Sequence, residues 1–230
     1  TFGFEEIPIY ETRFGLPIDF DQIDEIGQKE IKEFKKEYNI SNEQIIITLG
    51  YSADPKKNHE YMIEEIIRLS KRIKNIFIII PLTYGSKVHR EKIKTLCNNR
   101  FKENEINYKI LEEFMSDNDV AKLRKATDIM INIQDTDAMS ASMQESLYAG
   151  NIVINGSWLP YDELREAGAY YETIDELKEG ILSNKIEYII RNFDKLKEKT
   201  KVNKKIIYGR SSWDNNIGSW IEVYNKLLEG

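Results

Sequence analysis

The chain has 230 residues, 41% hydrophobic and 31% charged, the profile of a globular protein with room for one large domain or two small ones. Lys and Arg total 33 against 39 for Asp and Glu, and the resulting net charge of -6 disfavours a binder of duplex nucleic acid. A single cysteine, Cys97, rules out an internal disulfide framework and fits a reducing compartment, and the longest apolar run, Ile76 to Ile80, is far too short to span a bilayer. The chain opens on Thr1 with no basic-then-apolar signal segment, so its start reads as a processing boundary.

Residues 1–22 carry Gly3, Pro8, Gly15 and Pro17 without periodicity and read as an extended lead-in. One helix is predicted from Ile23 to Tyr38, with Ile23, Ile26, Ile31, Phe34 and Tyr38 on its apolar face. Short apolar runs then alternate with amphipathic segments. The runs are Ile45–Leu49, Ile76–Leu82, Tyr108–Leu111, Ile129–Ile133 and Ile152–Ile154, with a weak sixth at Tyr170–Glu172. Helical patterns fall at 59–73, 87–99, 117–126, 140–149 and 161–167. Apolar strands separated by helices imply parallel strands buried on both faces. The expected fold is α/β: a doubly wound parallel six-stranded sheet in the order 3-2-1-4-5-6, followed by extra C-terminal helices over 174–228. In such sheets ligands bind beyond the carboxyl ends of the strands, which directs attention to the loops there.

The loop after strand one runs Gly50-Tyr51-Ser52-Ala53-Asp54-Pro55-Lys56-Lys57-Asn58-His59. Gly50 lets the chain leave the strand tightly, and Asn58 suits the N-cap of the next helix. Lys56 and Lys57 would stand near a positive helix end, where an anion is favoured; the bland alternative is two solvated charges. In the loop after strand four, Asp135 to Glu145, small polar residues open a helix whose free N–H groups can receive a diphosphate. Asp137 lies in that turn and Glu145 two helical turns on, so both carboxylates can border one ligand. Alternatively Asp137 only caps the helix and Glu145 is a surface charge, although its closeness to buried elements calls for a partner. Asp135-Thr136-Asp137 is also an acid-x-acid triplet able to hold a divalent cation through hard oxygens. His59 and His89 gain no third ligand, which disfavours zinc, and Cys97 reads as packed. Pro81–Gly85 reads equally as a turn or as part of the cleft. Lys195, Lys197, Lys199, Lys201, Lys204, Lys205 and Arg210 form either a solvated helix face or a patch for anionic head groups.

These motifs resemble the C-terminal domain of retaining glycosyltransferases of the GT-B fold, family 4 especially. The carriers are Gly50-Tyr51 through Lys57-Asn58-His59, Ala126-Thr127-Asp128-Ile129, and Asp137 to Glu145 followed by Ala149-Gly150 and Ile152-Val153-Ile154. Arg13–Asp21 resembles the hinge stretch, and Trp213–Leu228 the closing helix. Gly50–His59 and Pro81–Gly85 are also similar to N-acetylfucosaminyl lipid-acceptor transferases. Three departures stand out. Asp137 replaces a Glu, Ala138-Met139-Ser140 replaces Gly-Phe-Gly, and Tyr51 or Ser52 replaces a phosphate-binding Arg.

The resemblance implies a Rossmann-like donor-binding domain over 23–230, with the N-terminal acceptor domain outside the chain. Lys57, with Lys56 as stand-in, and the N–H groups of Met139, Ser140 and Ala141 would meet the diphosphate at the end of the Gly50 strand. Glu145 would accept the ribose hydroxyls, Asp137 would hold the transferred sugar, and Leu111, Glu112, Glu113 and Phe114 would border the base. No metal or other cofactor is expected; positive charge and helix N-termini would stabilise the leaving group. The partners implied are a nucleotide sugar and a glycan or lipid-linked acceptor. The setting implied is the cytoplasm or the inner face of the cytoplasmic membrane, in bacterial polysaccharide or cell-envelope synthesis. An inactive nucleotide-sugar-binding module and a sugar-nucleotide epimerase of the same fold are the alternatives.

Overall fold

The computed structural model describes residues 9–16 and 20–229. Of the expected lead-in and hinge, Gly3, Pro8 and Pro17-Ile18-Asp19 lie outside the described residues.

Five apolar runs and one shorter segment form a parallel sheet: β1 (Ile45–Leu49), β2 (Ile76–Pro81), β3 (Asn107–Leu111), β4 (Ile129–Asn132), β5 (Ile152–Gly156) and β6 (Glu172–Ile174). Their order is β3-β2-β1-β4-β5-β6, as the alternation of strands and helices predicts. Ile47 stands level with Ile78 on one side and Ile129 on the other, so one apolar layer runs across the central strands. Period-two alternation divides each strand between two cores. Ile47, Ile78 and Ile129 pack with Met62, Ile63 and Ile66 of α3 (His59–Ser70) and Cys97 and Phe101 of α4 (Lys87–Glu103). On the opposite face Ile46, Phe77 and Ile79 meet Leu123 and Ala126 of α5 (Asp117–Ala126). Farther along that face, Met130 and Val153 meet Met143 and Leu147 of α6 (Ala141–Tyr148).

Several elements differ by a few residues from their predicted bounds, and two of the differences have a visible physical cause. The single helix expected over 23–38 is two, a short one over Phe20–Glu25 and a second over Gln28–Glu37. Glycine is a poor helix-interior residue, and here the Gly27 N–H donates to Glu30 Oε2 at 3.0 Å, starting a new helix instead of continuing the old one. The sixth strand is Glu172–Ile174, two residues beyond the expected start, and pairs with Ile154–Gly156. Tyr170 is unavailable to the ladder because Asn203 engages both its backbone groups, accepting from its N–H at 2.7 Å and donating to its carbonyl at 2.8 Å. After a five-residue helix, Asp162–Glu166, and β6, the chain finishes as three helices: Ile181–Arg191, Phe193–Ser211 (α9) and Trp213–Glu229 (α10). No helix among the described residues is long and apolar enough to cross a membrane.

Candidate functional site

The loops after β1, β2 and β4 converge at the carboxyl edge of the sheet. Gly50 leaves β1 at φ +63°, a conformation costly for other residues, and the position its Cβ would take is 3.4 Å from His59 Nε2. Asp54 then caps a single 3-10 turn over Pro55–Lys57 by accepting from the Lys56 N–H at 2.9 Å. The loops after β1 and β2 are joined where the Ala53 N–H donates to the Tyr84 carbonyl at 2.7 Å and the Ser86 N–H donates to the Ala53 carbonyl at 3.1 Å. Pro81–Gly85 is thus part of the cleft wall, with Pro81, Thr83 and Tyr84 lining a pocket.

Asn58 does not cap α3 through its side chain as expected. It adopts the left-handed conformation, φ +59°, and its amide donates to the Ile133 carbonyl at 2.8 Å and Asp135 Oδ1 at 2.9 Å. Together with the Asp135 N–H donating to the Lys56 carbonyl at 2.9 Å, this ties the loop after β1 to the loop after β4. The two lysines separate. Lys56 is exposed, whereas Lys57 is buried, donating from Nζ to Gln134 Oε1 and lying 3.4 Å from the centroid of the Tyr51 ring. Tyr51, one of the two residues that would replace the arginine, thus offers its aromatic face to a neighbouring cation.

His59 is 1% exposed, with Nδ1 3.3 Å from His89 Nε2 and no partner at Nε2. Burial first, then the adjacent His89, lowers its pKa to about 3, so it is neutral at pH 7. Burial likewise pushes the Cys97 thiol up to about 12, as befits a packed residue. Among the described residues no group of three or more His, Cys, Asp or Glu side chains could hold a metal ion.

At the loop after β4, the cap of α6 is Ser140, whose Oγ accepts from the Met143 N–H at 3.4 Å. Asp137 is held differently: Oδ1 accepts from the Ala138 N–H at 2.8 Å, and Oδ2 accepts from the hydroxyl of fully buried Tyr161. The same Tyr161 oxygen accepts from the Ser140 N–H at 2.9 Å. One of the three N–H groups expected for a diphosphate is therefore already occupied, while those of Met139 and Ala141 make no hydrogen bond among the described residues. Met139 takes φ +62°, a strained value for a side chain of its size, at a position where the resemblance has small residues around it.

Glu145 is buried; its Oε2 accepts from Arg124 Nε at 3.0 Å and lies 3.0 Å from Nη2 of the same guanidinium. The pair stands at the wall of a cavity of ≈170 Å³ together with Tyr51, Tyr84, Phe114, Met115 and Ser142. Of the four expected base-bordering residues, only Phe114 reaches this cavity. Leu111, Glu112 and Glu113 line a separate hollow of ≈410 Å³ with Phe34, Tyr38 and Lys109, and Phe114 stands between the two. Leu111 is mostly core, and Glu112 is paired with Lys94 at 2.8 Å. Sequence reasoning missed Arg124, Tyr161 and Gln134. Arg124 did leave a signal, since it shares the buried face of α5 with Ala121 and Leu123, where a charge requires a partner.

Solved structures share this fold. A glycosyltransferase from Rickettsia africae superposes with TM-score 0.76 at 15% identity, over 94% of this chain and 56% of that one. Anabaena HepE in complex with UDP and glucose does so with TM-score 0.71 at 14% identity, over 91% of this chain and 54% of that one. The C-terminal domain of a group 1 family glycosyl transferase, LpcC from Francisella tularensis, matches with TM-score 0.62 at 14% identity, over 84% of this chain and 97% of that domain. The chain spans about half the length of the first two. No family model and no curated protein matches the sequence. At these identities the likeness concerns the fold, which matches the C-terminal domains of GT-B glycosyltransferases.

Proposed function

We propose that this chain is the donor-binding half of a glycosyltransferase that takes a sugar from a nucleotide diphosphate sugar, with retention, to a glycan or lipid-linked acceptor. The observation that carries the reading is the cavity at the carboxyl edge of the sheet, where Glu145 stands beside the start of α6 and the loops after β1 and β2. Anabaena HepE, which shares the fold, is known in complexes with UDP and UDP-glucose, and this supports the ligand class.

In this reading Glu145 accepts ribose hydroxyls, and the base rests against Phe114 with Leu111, Glu112 and Glu113 at its margin. The diphosphate replaces Gln134 as the partner of the Lys57 ammonium, supplemented by the N–H groups of Met139 and Ala141 and by exposed Lys56. Ser140 contributes as the helix cap instead of as a phosphate donor. Asp137, fixed by Tyr161, faces the sugar. Developing negative charge on the leaving diphosphate is met by this fixed positive charge, with no divalent ion required. The acceptor domain lies outside the chain, in the cytoplasm or at the inner membrane face. In the same reading Lys195, Lys199 and Lys205, which are exposed on α9, meet anionic head groups there. A binding module without turnover is the second reading, favoured by the sequestered Lys57 ammonium and by the Tyr161 hydrogen bond already on Asp137.

Calorimetric titration with UDP and other nucleoside diphosphates, with chelator and then with magnesium or manganese, tests the first reading. The expected result is saturable binding of at least one nucleoside diphosphate with the same affinity in both conditions. No binding across the panel refutes the reading, and affinity that requires the metal returns Asp135 and Asp137 to consideration as ligands. Turnover by the full-length protein separates the two readings.

A further inference from the structure

We propose that Arg124 is a positioning residue for nucleoside recognition, holding the Glu145 carboxylate so that one oxygen, Oε1, faces the pocket as the acceptor for sugar hydroxyls. This rests on the donor-binding reading and adds to it a residue outside every motif noted in the sequence. Arg124 is only 5% exposed, on the side of α5 that meets Glu145 of α6. A guanidinium there is destabilising unless it is paired, and Glu145 supplies the pairing.

The form of the pairing matters more than its existence. Nε donates to Oε2 at 3.0 Å, and Nη2 is ion-paired with the same oxygen at 3.0 Å. Oε1 receives no hydrogen bond among the described residues, and it is not one of the occluded, unpartnered polar atoms; the same holds for Arg124 Nη1. Arg124 and Glu145 both line the ≈170 Å³ cavity with Tyr51, Tyr84, Phe114 and Ser142. A carboxylate alone in that wall could turn about its last bond and offer either oxygen. The planar guanidinium fork fixes its plane and occupies one oxygen, leaving the other as a single directed acceptor. Recognition is thereby divided. Arg124 and Glu145 govern the nucleoside, whereas Lys57, stacked on Tyr51, governs the phosphates.

The test is calorimetric titration of UDP and of inorganic pyrophosphate into the wild-type chain, Arg124→Lys, Arg124→Met, Glu145→Gln and the Arg124→Met/Glu145→Gln double variant. Loss of a directed, charge-assisted contact predicts at least about a tenfold weaker UDP affinity in Arg124→Met. Arg124→Lys, which keeps the charge but not the fork, should fall between it and wild type. Pyrophosphate affinity should hold in every variant, and adding Glu145→Gln to Arg124→Met should cost little more. The proposal is overturned by wild-type UDP affinity in either Arg124 variant, by losses that simply add in the double variant, or by pyrophosphate weakening in parallel with UDP. If Arg124→Met does not fold, Arg124→Lys still leaves Glu145 a cation, and its UDP affinity decides. A wild-type chain that binds no nucleoside diphosphate defeats the donor-binding reading itself. Wild-type binding with unaffected variants defeats only the role of Arg124.

Discussion

Replacing Glu145 by Ala should cost stability as well as ligand affinity. A carboxylate that merely faced a cleft could be removed with little effect on folding, which is the expectation its place in the motif suggests. The structure points the other way. The side chains of Arg124 and Glu145 are 6% and 8% exposed, and the contacts between them are 3.0 Å long. Truncating the acid leaves a guanidinium in the protein wall without its counter-charge, a change that costs about 3–5 kcal/mol when one partner of a buried pair is removed. For a chain of this size each kcal/mol corresponds to about 2–4 °C in melting temperature, so the midpoint should fall by about 6–20 °C. Urea denaturation of wild type, Glu145→Ala and the apolar pair Arg124→Met/Glu145→Leu separates burial of charge from loss of packing. The apolar pair should recover most of the loss, because replacing both members of a buried ion pair is often neutral or stabilising. Glu145→Ala unfolding at the wild-type urea concentration would falsify the argument, since the guanidinium would then be well solvated without its partner.

Two further outcomes are expected. Asp137→Asn should weaken binding or turnover of the nucleotide sugar while leaving the free diphosphate within about twofold, well under the 1.4 kcal/mol of a tenfold change; an equal loss for both ligands would place Asp137 at the phosphates instead. Stability should fall in acid because of His59. The unfolded chain takes up a proton near the ordinary value of about 6.5, but the folded one not until about 3, with burial and the adjacent His89 as the causes. The contribution is full above the upper value and is lost as pH falls from there toward the lower one. Denaturation midpoints measured between these limits should decline less in His59→Asn, and an unchanged slope would show that other groups govern the acid limb.

Much of the architecture is legible in local pattern. Strands buried on both faces read as unbroken apolar runs, so Ile45–Leu49, Ile76–Pro81 and Ile129–Asn132 stand out without any knowledge of their neighbours. Parallel strands joined by helices leave few topologies, and the order β3-β2-β1-β4-β5-β6 is among them. The weak sixth strand was misplaced because its limits are set by Asn203, 33 residues from the tyrosine it engages. No window of sequence contains that competition.

The loops behave in the same way. Small polar residues after a strand and a glycine at φ +63° announce a ligand edge, because their backbone freedom is a local property. Which side chains meet there is decided by the sheet. Placing β1 beside β4 brings Lys57 to Gln134 across 77 residues, and the loop after β5 brings Tyr161 to Asp137 across 24. The packing of α5 against α6 brings Arg124 to Glu145 across 21. Each of these partners changes the charge, orientation or availability of a residue that the sequence marks only by type and spacing. Periodicity reports which face of an element is buried, whereas the partner of a buried charge depends on the neighbouring element, and that is settled only when the layers pack.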